Sequence, residues 1–119
     1  MNRPEKRERY MRDPCPIRLG NLASSLARVS SFAALPTRAA TIPQLLDECK
    51  WFIEWTGPEV APDIQPDLVR MQVDLALWQL RWERGEPTED LRNELAREAR
   101  AYSDLVLRWS GLLDDGPGS

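Results

Sequence analysis

Residues 66–84, with the sequence PDLVRMQVDLALWQLRWER, decide the fold of this chain. Their apolar residues recur at spacings of three and four, and the first stripe consists of Leu68, Met71, Leu75, Trp78 and Trp82. A second stripe lies beside it and consists of Val69, Val73, Ala76 and Leu80. Together the stripes are wider than the apolar face of an ordinary surface helix. The pattern therefore predicts the central helix of a bundle, in contact with neighbouring helices on two sides.

Three further helices are predicted from the same periodicity, over residues 17–35, 42–56 and 88–113. Pro36 and Gly85 end two of the periodic segments, as helix-breaking residues do. Thr88 is a strong helix start, because its hydroxyl can cap the helix and two acidic residues follow it. No segment alternates with the period of two that a half-buried strand requires. We therefore predict an all-α, up-and-down four-helix bundle, with one domain over residues 17–113.

The net charge of −3 hides an uneven distribution along the chain. Residues 1–40 carry a net charge of +5, whereas residues 41–119 carry −8. Residues 1–16 combine three prolines and five basic residues with little apolar content, which predicts a disordered basic arm. The tail at residues 114–119 is also expected to be disordered.

The residue types needed for common catalytic and metal sites are scarce in this sequence. Histidine is absent, which removes imidazole-dependent triads and most zinc and iron sites. Cys15 and Cys49 lie far apart and form no CxxC pair. Glycine motifs that bind phosphate or dinucleotides are also missing. We therefore expect no enzyme activity, no catalytic residue, no metal and no cofactor.

Two tryptophans suggest a surface for a protein partner. Trp51 and Trp55 lie one turn apart, on a flank between the buried and the polar side of their helix. Core packing accounts for most of the five tryptophans, because aromatic residues bury the largest area. The flank position leaves open a partly exposed patch, and Glu48 and Glu54 beside it would suit a partner that carries arginines. These four residues are the candidate partner-binding site.

Small residues form a surface on the helix predicted over residues 17–35. They are Gly20, Ala23, Ser24, Ala27, Ser31 and Ala34. Such residues allow two helix backbones to approach closely, either inside the bundle or between two copies of the chain. Twofold pairing is the commonest arrangement of a homo-oligomer, so this surface is the candidate self-association face of a homodimer.

Nucleic-acid binding by the basic arm is the alternative function. Three acidic residues interrupt the arm, and the rest of the chain is acidic. About nine residues join the second and third predicted helices, too many for a helix-turn-helix. Protein contact is therefore preferred over nucleic acid. No apolar run approaches the ~20 residues of a membrane span, and the start has no apolar signal segment, so we expect a cytoplasmic protein.

Three strings, RLGNLASSLARVSSFA, LDECKWFIEWT and DLALWQLRW, carry a family resemblance. They resemble a group of short all-helical cyanobacterial proteins of poorly defined function, in which an RLGxLAxxLARxxSF helix precedes FIEWT and LxLWQxxW segments. The similarity covers about residues 18–82. It implies a cytosolic regulatory protein without enzyme activity, and negative regulation of heterocyst differentiation has been proposed for the group. We expect a small non-enzymatic regulatory or adaptor protein that acts through protein–protein contacts.

Overall fold

A computed structural model describes residues 3–112 of the chain. Within this range all regular secondary structure is helical and no strand occurs, which confirms the all-α prediction. The five helices are α1 (Arg3–Met11), α2 (Cys15–Ala33), α3 (Ile42–Thr56), α4 (Gln65–Glu83) and α5 (Glu89–Ser110). Helices α2 to α5 correspond to the four predicted ones, and short 3₁₀ turns over Pro36–Thr41 and Gly57–Glu59 flank α3. The prediction for residues 114–119 lies outside the described range.

Helix α2 lies at the centre of the fold and packs most extensively against α5. Small residues allow this close approach. The Ser103 hydroxyl donates a hydrogen bond to the backbone oxygen of Ala23 at 2.7 Å, and the Ser30 hydroxyl donates to that of Ala96 at 2.6 Å. The start of α2 thus lies near the end of α5, so the two helices are antiparallel.

Helix α4 lies at the edge of the fold, along α3. The side-chain amide of Gln72 donates to the backbone oxygen of Lys50 at 3.4 Å. On the other side of α4, the Tyr102 hydroxyl of α5 donates to the carboxylate of Asp74. Backbone packing holds α4 close to α3, whereas side chains bridge the wider gap between α4 and α5.

Only one of the two apolar stripes of α4 is buried. The stripe that begins at Leu68 and ends at Trp82 has five residues, each at most 4% exposed. In the second stripe, Val69, Val73 and Leu80 are 49–59% exposed. Helix α4 does have neighbours in α3 and α5, but its second stripe is largely exposed, so the prediction that α4 is the central helix is wrong. The reason is that α2, through its small residues, takes the central position and leaves α4 with a solvent-facing side.

Residues 3–11 form a helix, in contrast to the disordered arm expected from the composition of residues 1–16. Helix α1 contacts α3, and Tyr10 near its end is only 4% exposed. Composition failed as a guide because one buried aromatic ring and a few ion pairs can hold a short polar helix against a larger body. The structure thus adds a fifth helix to the four that were predicted.

Both ends of α5 have recognisable caps. The Thr88 side chain accepts a hydrogen bond from the backbone nitrogen of Leu91 at 3.1 Å, which confirms the predicted helix start. At the other end Gly111 has a φ of 74°, a left-handed conformation that glycine adopts without steric cost. Helix α5 is therefore limited by its own sequence at both ends.

A pair of Leu→Ala substitutions tests the assignment of the buried stripe. Leu75 is 1% exposed, so Leu75→Ala should lower the free energy of unfolding by about 2–5 kcal/mol through lost burial and a cavity. Leu35 is 47% exposed, so Leu35→Ala should change it by less than about 0.5 kcal/mol. Chemical denaturation followed by circular dichroism measures both. Equal effects would contradict the assignment.

Candidate protein-interaction surfaces

The four residues predicted to bind a partner lie on α3 beneath α1. With the neighbouring Phe52, they form a surface termed the α3 site: Glu48, Trp51, Phe52, Glu54 and Trp55. Trp55 is buried, Trp51 is half-buried, and Glu54 is exposed. The predicted aromatic patch therefore exists on this helix, but another part of the same chain covers most of it.

Two cations of α1 pair with the two acids of the α3 site. The Nη2 atom of Arg3 lies 2.8 Å from Glu54 Oε2, and the Nζ atom of Lys6 lies 3.0 Å from Glu48 Oε2. Both cations also lie over the Trp51 ring, with Arg3 Cζ at 5.5 Å and Lys6 Nζ at 6.0 Å from its centroid. The basic partner expected for this site is, in the folded chain, its own N-terminal helix.

Tyr10 anchors the end of α1 in the core. Its ring stacks on Phe52 with centroids 4.2 Å apart and contacts Trp55 at 5.7 Å. Its hydroxyl donates to the backbone oxygen of Arg18 at 2.8 Å and shares a short hydrogen bond with Thr56. Burial raises the pKa of the phenol well above its usual value, so Tyr10 stays neutral and acts as an uncharged anchor.

A buried arginine fixes the corner between α1 and α2. The guanidinium of Arg18 forms a bidentate pair with Glu59, at 2.5 and 2.9 Å, and Arg18 Nε donates to the backbone oxygen of Asp13 at 2.9 Å. The hydrogen bond from Arg18 holds the pKa of Glu59 below its usual value, and the same bond raises the pKa of Arg18. This pair connects the start of α2 with the turn that follows α3.

The sequence contains a signal for α1 that composition obscured. Arg3, Lys6 and Tyr10 are spaced at i, i+3 and i+7, which places them on one side of a helix. A helix with this spacing presents two cations and one aromatic ring to its neighbour. These three residues are the functional candidates that the sequence analysis missed.

The small-residue surface of α2 is divided between the fold and solvent. A side-chain Cβ at Gly20 would lie 2.7 Å from Leu112 Cδ1, and Ala23 is buried against α5. Ala27 is half-buried on the same side of the helix. The exposed members are Ser24, Ser31 and Ala34. Self-association through this surface remains a prediction, and any such contact would use its exposed part.

A continuous apolar surface on α4 was not predicted. It is termed the α4 strip and consists of Val69, Val73, Leu77 and Leu80. All four are 49–59% exposed and extend over about three helical turns. Single exposed apolar residues are common, whereas a row of large ones on one helix is a candidate interaction surface.

The two edges of the α4 strip differ in charge. Toward α3 the edge carries Gln72 and, near the end of the helix, Glu83, whereas toward α5 it carries Arg70, Arg81 and the carboxylate of Asp74, with Arg84 at the end of the strip. Arg81 lies over the Trp78 ring at 4.4 Å from its centroid. It also pairs with a glutamate of α5 at 3.4 Å. Arg70 and Arg84 make no ion pair with any residue in the range 3–112.

A groove of about 320 Å³ runs beside the α4 strip, between α4 and α5. Leu77, Leu80 and Arg84 line its α4 side, while the half-buried Glu98 lies on its α5 side. The bound carboxylate of Asp74 also faces it. The groove thus combines apolar side chains of α4 with two cations, Arg81 and Arg84, and two carboxylates, Asp74 and Glu98.

The described residues offer little reactive chemistry. Between residues 3 and 112, histidine, cysteine, aspartate and glutamate side chains form no group of three that could hold a metal ion. Cys15 and Cys49 are free thiols, and burial raises the pKa of both, which disfavours the reactive thiolate. Over the same range, no helix is both long enough and apolar enough to span a bilayer.

Comparison with protein-family models, curated proteins and solved structures gives no match to this chain. The resemblance to the cyanobacterial group therefore stays a prediction. The α3 site and the α4 strip are the two surfaces of the described residues that bear on function.

The pair between Arg18 and Glu59 gives a pH-dependent prediction. Folding lowers the pKa of Glu59, so the pair stabilises the folded protein fully at pH values above the unfolded-state pKa of glutamate. The stabilisation is lost as the pH falls through the folded-state pKa of Glu59, because the carboxylate is then protonated. Wild type should therefore be more stable than Glu59→Gln at about pH 7, and the difference should shrink at about pH 3. Denaturant unfolding at both pH values measures it.

The matched control is Glu83→Gln, since Glu83 is exposed and forms no ion pair within residues 3–112. Its stability difference from wild type should stay small and nearly the same at both pH values. A Glu59→Gln difference that does not change with pH would contradict the assigned role of the carboxylate.

Proposed function

We propose that this chain is a small non-enzymatic adaptor that acts through protein–protein contact, and that the α4 strip is its partner-binding surface. The exposure of four large apolar residues in one row is the observation that carries the proposal. Leaving such a row in water is unfavourable by roughly 25 cal/mol per Å² of apolar surface, and a bound partner removes that cost.

The occupant that fits best is an amphipathic helix of another protein. A helix laid along α4 can place its own apolar residues, spaced at i, i+4 and i+7, against the α4 strip. The groove between α4 and α5 gives it a second wall, with Leu77 and Leu80 along the α4 side. The groove lies there because side chains, rather than close backbone packing, bridge α4 and α5.

Charge selects among such helices. Arg70 and Arg84 lie at the edge of the strip without ion-pair partners among residues 3–112, so carboxylates on the incoming helix would meet them. A second copy of α4 would bring arginines near arginines when packed antiparallel. The charges therefore favour an acidic partner helix over a second copy of this chain. The predicted homodimer would then use another surface, such as the exposed part of α2.

The proposal also covers nucleic-acid binding, cellular location and regulation. Arg3 and Lys6 of the basic segment are engaged with Glu54 and Glu48, so protein contact is preferred over nucleic-acid binding. Free thiols are usual in reducing compartments, which supports a cytoplasmic location. A regulatory role follows only from the resemblance to the cyanobacterial group.

A designed peptide pair tests the proposal. The first peptide is a helix with leucines at i, i+4, i+7 and i+11 and glutamates along one edge, and the second has lysines in place of the glutamates. The acidic peptide should bind the full chain about tenfold more tightly, equivalent to roughly 1.4 kcal/mol. Leu77→Glu should abolish binding, because it places a charge in the apolar contact. Fluorescence anisotropy measures binding.

Two variants make the test specific. Ala101→Glu adds the same charge at an exposed position of α5 and should leave binding unchanged. Arg70→Glu combined with Arg84→Glu should reverse the preference toward the lysine peptide. Equal binding of both peptides by wild type would contradict the charge argument. A dimer that Leu77→Glu converts to monomers in sedimentation velocity would instead assign the strip to a second copy.

A further inference from the structure

We infer that the α3 site is a second protein-binding site, and that α1 occupies it in place of an external helix. The partner is a helix that presents two cations and one aromatic residue at i, i+3 and i+7. This inference extends the proposed adaptor function, but it uses residues that are separate from the α4 strip.

The recognition chemistry of the site is shown by the helix that fills it. Glu48 and Glu54 receive one cation each, and the Trp51 ring lies beneath both cations. Phe52 and Trp55 contact the ring of Tyr10, which lies one to two turns after the two cations on α1. Two acids beside the half-buried ring of Trp51, together with the aromatic contact that Phe52 and Trp55 make, form a site that selects this pattern of side chains.

The hold of α1 on the site is limited. At nine residues, α1 is shorter than helices that are stable alone, so its structure depends on contacts with the rest of the chain. Tyr10 is the one buried residue among its nine. The pair between Arg3 and Glu54 is about half exposed on both sides, and such pairs contribute little.

Open space borders α1 along both of its sides. A cavity of about 500 Å³ separates it from α2 and is lined by Lys6, Ser24 and Arg28. Another of about 520 Å³ lies on its opposite side, beside Arg7, Glu54 and Pro58. The helix therefore rests on α3 along a narrow line of contact. In the proposed exchange, α1 moves off α3 by a change of direction at residues 12–14, and an external helix with the same three side chains then binds in its place.

Because α1 is covalently attached, it competes at a high effective concentration. The apparent affinity for an external helix is reduced by the small fraction of molecules in which the site is open. Weakening α1 without changing α3 must therefore raise the affinity for an external copy of the same helix. This rise is the measurable sign that an external helix can replace α1 on the α3 site.

A labelled peptide of residues 1–13 is the probe, and the full chain is the receptor. Arg3→Glu combined with Lys6→Glu in the chain places like charges over the α3 acids and releases α1. This variant should bind the peptide about tenfold more tightly than wild type, in fluorescence anisotropy at low salt. A peptide with alanine at the Arg3, Lys6 and Tyr10 positions should not bind.

Arg97→Glu combined with Arg100→Glu is the matched control, since it changes the net charge equally on exposed positions of α5. It should bind the peptide as weakly as wild type. Adding Glu48→Lys and Glu54→Lys to the Arg3/Lys6 variant should restore α1 docking with reversed charges and abolish peptide binding. Circular dichroism confirms that each variant is folded.

The inference is overturned if the Arg3/Lys6 variant binds the peptide no more tightly than the control variant, or if the alanine peptide binds equally well. The acidic peptide that tests the α4 strip is measured on the same variants, and its binding should not change. Failure at one surface is therefore distinguishable from failure at the other.

Discussion

The close approach of α2 to α5 is the contact on which the rest of the structure depends. Ser103 and Ser30 reach backbone oxygens across this contact, which larger side chains at Ala23 or Ala96 would prevent. With α2 held at the centre, α3 packs on one side of it and α5 on the other. Helix α4 is thereby left at the edge, with one apolar side in the core and one in solvent. The exposure of the α4 strip is thus a consequence of packing elsewhere.

The sequence predicted the helices far better than their arrangement. Periodicity located α2 to α5 and the buried stripe from Leu68 to Trp82, because these depend on local spacing. It could not say which helix is central, since two wide apolar faces compete for the core. The exposure of Val73 and Leu80 therefore escaped prediction. Composition gave the wrong prediction for α1. A single buried residue, Tyr10, holds that helix against α3, and one residue changes the average composition of the segment very little.

The candidate partner site illustrates a different limit of sequence reasoning. The chemistry of Glu48, Glu54 and Trp51 was read as suited to basic side chains, and in the structure basic side chains do contact these residues. What the residues alone could not reveal is that those side chains belong to the same chain. Chemical complementarity identifies the kind of occupant, whereas chain connectivity decides which occupant is present at the highest effective concentration.

The two surfaces have opposite electrostatic preferences, and this has a consequence for an adaptor. Carboxylates of the α3 site repel the acidic helix that suits Arg70 and Arg84, and those arginines repel a basic helix. No residue of the α3 site belongs to the α4 strip, and the hydrogen bond between Gln72 and Lys50 helps to join the two helices that carry them. In the proposed adaptor, two partners of opposite charge would therefore bind at once without exchanging places. Because α1 contacts the α3 site and not the α4 strip, its release would control one partner and leave access for the other unchanged.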